Sequence, residues 1–119
     1  MRASHLTGDL KLIATQVSAW AAGQPGLVRL WLFGSRARSA QASGTDLAIA
    51  FEVDAMPMPE AGSSFERERN AWTTDVSNAV GLDVHFEPIA LDAIQDAVTD
   101  HGIMIYERAG SAPCHWLAR

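Results

Sequence analysis

The residues with the clearest chemical potential in this chain lie directly after an apolar run at positions 28–33. Gly34 permits a tight turn and a close approach of the backbone to a ligand, because glycine has no side chain. The hydroxyl of Ser35, the free N–H groups of a following helical turn and the guanidinium of Arg36 would together form a cradle for phosphate. Asp46 opens the next apolar segment. A carboxylate there that faces the cradle could hold a divalent cation against the phosphates.

This pattern resembles the minimal nucleotidyltransferases (MNT), which are the small members of the DNA polymerase β superfamily. Their signature is Gly-Ser, a spacer of about the length seen here, and then Asp-x-Asp. In this chain the ten residues 36–45 separate Ser35 from Asp46, and the similarity covers roughly residues 8 to 107. One position departs from the signature, because Ala48 stands in place of the second aspartate. Two carboxylates at i and i+2 share one face of a strand and can bracket a pair of cations, so this departure removes a metal ligand.

The resemblance also implies a third carboxylate, from a strand beside the Asp-x-Asp strand, and Asp83 is the matching residue. Adjacent strands lie about 4.8 Å apart, so Asp46 and Asp83 would approach one cation from two sides. His85 follows two residues later on the same strand face and is the candidate base for an acceptor hydroxyl. A structural or solvated histidine is the alternative interpretation of His85. The resemblance thus implies Mg²⁺ as the cofactor and an NTP as the substrate, with ATP as the expected nucleotide.

The function implied by the resemblance is transfer of a nucleoside monophosphate from the Mg-NTP to a hydroxyl acceptor. Stand-alone MNT proteins are often antitoxins of a separately encoded helical HEPN protein, an RNase-like toxin, so a partner of that kind is expected. The alternative hypothesis is a degenerate MNT protein that binds its partner and neutralises it by contact alone. Ala48 favours this alternative, whereas retention of Asp46 and Asp83 favours an enzyme. A plain α/β domain without a nucleotide site is the third hypothesis.

Length and composition narrow the class of protein. The 119 residues predict one domain over residues 1–107, with a tail over 108–119. The net charge of −5 disfavours strong non-specific binding to nucleic acid. The single cysteine, Cys114, excludes an intrachain disulfide and is compatible with a reducing cytoplasm. No apolar run is long enough to span a bilayer, so a soluble cytoplasmic protein is expected, and its oligomeric state stays open.

Hydrophobic periodicity and turn residues predict the element order α-β-α-β-α-β-α-β, hence an α/β (α+β) fold with a small mixed β-sheet backed by helices. The predicted helices are 7–22, 35–40, 65–80 and 91–101, and the predicted strands are 28–33, 46–53, 82–87 and 103–107. The buried side of the third helix is predicted to consist of Ala71, Trp72, Val76, Ala79 and Val80. The histidines His5, His101 and His115 do not form a metal-ligand spacing with Cys114.

Overall fold

The computed structural model describes the backbone of residues 8–24, 26–34, 46–54 and 66–111, and the side chains of residues 11–24, 26–34, 47–54 and 69–111. The predicted bounds of the elements in these ranges agree with the structure to within one residue. The predicted helix at 35–40 and the tail beyond Ser111 lie outside the described residues. The elements are α1 (Gly8–Ala21), β1 (Leu27–Phe33), β2 (Asp46–Val53), α2 (Glu66–Val80), β3 (Asp83–Pro88), α3 (Asp92–His101) and β4 (Ile103–Glu107).

Within the described ranges, no helix combines the length and apolar composition needed to cross a membrane.

The four strands form one mixed sheet in the order β3-β2-β1-β4. Strand β1 is antiparallel to β2 and β4, whereas β2 and β3 are parallel and are connected through α2. The carboxyl end of β1 therefore lies at the same end of the sheet as the amino ends of β2, β3 and β4. We call this the glycine end, defined by Gly34, Asp46, Asp83 and Ile103. The other end of the strands is the opposite end.

Alternation along the strands divides the core between the two faces of the sheet, as predicted, and a shift of register between Leu27 and Arg29 interrupts it near the start of β1. Helices α1 and α2 cover one face, and α3 covers the other. The buried strand residues of the first face are Leu27, Leu30, Leu32, Leu47, Ile49, Phe51, Val53, Val84 and Phe86. Trp31 and Ala50 lie on the second face, against Ile89 and Val98. The sheet thus has a large two-helix core on one side and a smaller one-helix core on the side that carries the even-numbered positions of β2.

One part of the predicted core is wrong. Ala71 and Ala79 of α2 are exposed, whereas Trp72 and Val76 are buried. Trp72 stacks edge-on against Phe51, with 5.2 Å between the ring centroids. The large indole and the valine one turn later orient the helix, and the two alanines fall on the flanks of the buried stripe, where their short side chains do not reach the sheet.

A cluster of ion pairs fixes the opposite end of the sheet. The side chain of Arg29 in β1 is 1% exposed, and its guanidinium lies 2.7 Å from a carboxylate oxygen of Glu52 and 2.7 Å from one of Glu107. Two hydrogen bonds from Arg108 to the exposed Asp54 join the ends of β4 and β2, and they lower the pKa of the Asp54 carboxyl. Charged groups at this end are therefore paired across three neighbouring strands.

The substitution Glu52→Ala tests the energetic weight of the buried pair. It leaves a buried guanidinium without one of its carboxylates, so we expect the free energy of unfolding to fall by about 3–5 kcal/mol. Glu87→Ala is the matched control, because Glu87 meets Arg69 at 3.9 Å on a half-exposed surface. We expect its effect to stay within about 1 kcal/mol. Equal losses in urea denaturation of the two variants would contradict the structural role of the Arg29 pair.

Candidate functional site at the glycine end of the sheet

The turn after β1 is held in a conformation that favours glycine. Gly34 has a φ of +85°, in the left-handed region. A Cβ atom at this position would lie 3.4 Å from the Cβ of Ala48, so the turn packs directly against the second position of the predicted carboxylate pair. Ala48 is half-buried. An oxygen-bearing side chain at position 48 would therefore lie beside the start of the predicted phosphate cradle.

Two aspartates occupy partner positions on the parallel strands β2 and β3. The register pairs Asp46 with Asp83 and Ala48 with His85. Because neighbouring strands are about 4.8 Å apart, Asp46 and Asp83 start from adjacent points on one end of the sheet. Asp83 is exposed, and the side chain of Asp46 is not among those that the structure describes. The strand pairing expected from the sequence is present, and it brings the two aspartate backbones together.

Helix α3 and strand β3 determine which described side chains are exposed on this face of the sheet. This helix packs over Trp31 and Ala50, towards the middle of the sheet. Nearer the glycine end, Asp83 and His85 are exposed. Among the described side chains of this face, the two exposed ones nearest the aspartate positions thus belong to β3, and α3 lies over β1 beside them.

The predicted phosphate-binding residues Ser35 and Arg36 lie outside the described residues. Among the side chains that the structure does describe, no group of three His, Cys, Asp or Glu residues is arranged to hold a metal ion. A site made from Asp46 and Asp83 would have two protein carboxylates. That number fits Mg²⁺, which is typically held by one or two carboxylates together with substrate phosphates and water. The donor set present is thus compatible with a substrate-completed magnesium site, and Ala48 contributes no ligand to it.

Sequence reasoning missed His101, which the structure places at this site. His101 is the last residue of α3, and its Nε2 accepts a hydrogen bond of 2.8 Å from the backbone N–H of Gly34. Its Nδ1 lies 3.0 Å from Oδ2 of Asp100. The order of the elements contains the information that locates His101. Gly102 ends α3, and β4 begins at the next residue and pairs with β1. The end of α3 must therefore lie at the glycine end of the sheet.

The substitution Gly34→Ala tests the backbone conformation of the turn. A Cβ strains a residue at positive φ, so we expect a loss of about 1–2 kcal/mol in the free energy of unfolding. Gly26→Ala is the matched control, since no atom lies within 4 Å of the added carbon there and the backbone is not left-handed. A loss at Gly34 no larger than that at Gly26, measured by thermal or urea denaturation, would rule out a strained turn.

Comparison with known proteins gives no match among protein-family profiles and none among curated sequences. Solved structures do match. The tri-AMPylated Shewanella oneidensis HEPN toxin in complex with MNT antitoxin matches at 18% identity with a TM-score of 0.59, over 82% of this chain and 72% of that chain. A toxin–antitoxin with AMP-PNP matches at 19% identity and a TM-score of 0.58, over 87% and 76%. The toxin–antitoxin MntA–HepT matches at 18% identity and a TM-score of 0.57, over 82% and 73%.

These identities are low, and the likeness therefore establishes the fold. The chain has an α+β fold with a four-stranded mixed sheet, and it shares this architecture with structures from toxin–antitoxin complexes. The fold class predicted from the sequence is confirmed.

Proposed function

We propose that this protein is a nucleotidyltransferase-like antitoxin that transfers a nucleoside monophosphate, with ATP as the expected donor, to a hydroxyl group of a HEPN-type partner. The observation that carries the proposal is the register at the glycine end. Asp46 and Asp83 occupy partner positions on β2 and β3, beside a left-handed glycine turn that packs on position 48. A turn that binds phosphate beside paired carboxylates would support metal-assisted phosphoryl transfer.

In this proposal the segment that starts at Gly34 receives the triphosphate. The phosphate oxygens would accept hydrogen bonds from three kinds of donor: the backbone N–H groups after the turn, the Ser35 hydroxyl and the Arg36 guanidinium. Asp46 and Asp83 would hold Mg²⁺, which when bound neutralises charge on the transferred group and on the departing pyrophosphate. The protein's own task is then to orient the α-phosphate towards the acceptor hydroxyl.

The transfer step joins the acceptor oxygen to the α-phosphorus and breaks the bond from that phosphorus to the bridging oxygen of pyrophosphate. The acceptor hydroxyl loses a proton in this step, and a base must take it. His85 is exposed on β3 and is paired in register with Ala48, so it is the described imidazole nearest in register to the aspartates. We assign it the role of proton acceptor, with the proton passing from the acceptor oxygen to a ring nitrogen.

The nature of the partner is inferred from the structural neighbours. They are toxin–antitoxin complexes, and one of them contains a tri-AMPylated HEPN toxin together with an MNT antitoxin. In that complex the toxin carries AMP groups and is bound to an MNT antitoxin. A HEPN-type toxin is therefore the acceptor that we propose for this chain, and AMP is the group that would be transferred.

A second candidate function rests on Ala48. This residue packs against the glycine turn, 3.4 Å from where a Cβ on Gly34 would lie. Its side chain carries no oxygen, so the site has one carboxylate fewer than the Asp-x-Asp pattern supplies. A protein with such a site could bind nucleotide weakly, or not at all, and neutralise its partner by contact alone. The two functions differ in whether covalent label passes to the partner.

Asp83→Asn tests the enzymatic proposal. The change keeps the shape of the exposed side chain and removes the charge that would face the cation, so transfer should fall on the order of 100-fold. The measurement is Mg²⁺-dependent transfer of label from α-³²P-ATP to protein in a lysate of the native host. Asp75→Asn is the matched control, because Asp75 is exposed on α2, on the other side of the sheet. Absence of label with folded wild-type protein would leave the contact-only antitoxin.

Ala48→Asp tests whether the site lacks only one ligand. If the geometry around position 48 is intact, the added carboxylate should raise Mg²⁺-dependent transfer by about tenfold or more. Ala48→Asn is the matched control, since it has the same shape without the charge. A gain in both variants, or in neither, would argue against an eroded two-metal site.

A further inference from the structure

We infer that His101 is a positioning residue of the proposed nucleotide site, fixing the glycine turn through Nε2 so that phosphate affinity depends on an uncharged imidazole. The inference rests on the proposed function for its link to nucleotide. The hydrogen bond from the Gly34 N–H to Nε2 is 2.8 Å long and joins residues that are 67 positions apart in the chain. The side chain of His101 is 15% exposed, so water competes poorly for this bond.

The bond matters because of the residue that donates it. Glycine has the widest choice of backbone conformations, and a glycine turn needs a partner to hold one of them. Gly34 is the first residue after β1, where the ladder to β2 ends at the pair Phe33–Ala48. The imidazole thus binds a backbone group of the residue that follows the last strand pair. Through this contact the end of α3 holds the conformation of Gly34.

The same bond assigns a role to Gly34 itself. Its N–H points at His101 and is already used, so it does not donate to a phosphate. Gly34 contributes the left-handed turn, and in the proposed function the donors to phosphate are the Ser35 hydroxyl and the Arg36 guanidinium. His101 therefore acts on the ligand through the backbone and does not touch it.

Only one charge state of His101 supports this arrangement. Nε2 accepts from Gly34, so the neutral ring carries its hydrogen on Nδ1, which donates to Asp100 at 3.0 Å. Protonation would place an N–H on Nε2 facing the N–H of Gly34, and two donors cannot bond to each other. The sheet residues at this end of β1 and β4 are Phe33 and Ile103, and neither carries a charge. Asp83 and His85 on β3 lie two strands away, with Asp46 on the strand between them.

The first arm of the test observes the bond without nucleotide. Protection of the Gly34 amide from hydrogen exchange is measured by NMR at about pH 8 and about pH 5, the range over which histidine changes charge. The wild type should lose about fivefold protection at the lower pH, the effect of one ordinary hydrogen bond. His101→Gln keeps an uncharged acceptor and should stay protected at both values. His101→Leu should be unprotected at both.

The amide of Ile89 serves as the internal control for folding, because it donates to the carbonyl of Phe51 at 2.9 Å and has no histidine partner. Its protection should be the same in the wild type and both variants. If Gly34 in His101→Leu is protected as well as in the wild type while Ile89 is unchanged, the inference is overturned. If Ile89 loses protection in His101→Leu, that variant is set aside, and the protection of Gly34 is compared between the wild type and His101→Gln at the two pH values. Equal pH dependence of Gly34 protection in these two proteins overturns the inference.

The second arm measures the dissociation constant of Mg-ATP for the same proteins at the same two pH values. The wild type should lose several-fold more affinity between about pH 8 and about pH 5 than His101→Gln, which controls for titration of the nucleotide. Binding that is equal in all variants, with Gly34 protection changed as expected, would overturn the link to phosphate and leave the proposed function intact. A lack of binding by every protein would overturn the proposed function and this link together, while the first arm would still report on the bond.

Discussion

The direction of β1 is the constraint on which the rest of the structure depends. Because β1 is antiparallel to both of its neighbours and β2 is parallel to β3, four separate parts of the chain meet at one end of the sheet. They are the turn at Gly34, the first residues of β2 and β3, and the junction of α3 with β4. Reversing any one of these strands would send its chemistry to the far end. The glycine end is thus a product of topology, to which individual side chains are added.

The charged side chains at the two ends of the sheet differ in burial and in pairing. At the opposite end, Arg29, Glu52 and Glu107 satisfy one another in and around the core, and the cost of desolvation is offset by short contacts. At the glycine end, Asp83 is exposed and faces solvent with the other polar groups of that surface. The buried ion pair of Arg29 with Glu52 therefore lies away from the candidate site. Loss of one carboxylate at position 48 can then alter the chemistry while the fold is kept.

Much of this could be predicted from local patterns. The bounds of β2 and β4 follow from alternation bounded by turn residues. That Asp83 lies on a strand beside Asp46 was expected from the resemblance to the minimal nucleotidyltransferases, and the exact register is given by the structure. Two features depended on long-range geometry. The exposure of Ala71 and Ala79 was set by how Trp72 packs against Phe51, which helical periodicity alone does not encode. The contact of His101 with Gly34 joins distant residues, and no spacing in the sequence marks it. Ser35 and Arg36 remain predictions.

The most direct test of the central claim is to map where a nucleotide binds. The protein would be titrated with Mg²⁺ and a non-hydrolysable ATP analogue while the shifts of all backbone amides are followed by NMR. The account predicts the largest changes at Gly34, Asp46 and Asp83, with little change around Glu52 and Glu107 at the opposite end. Changes concentrated at the opposite end, or no changes at millimolar analogue, would contradict a nucleotide site at the glycine end of the sheet.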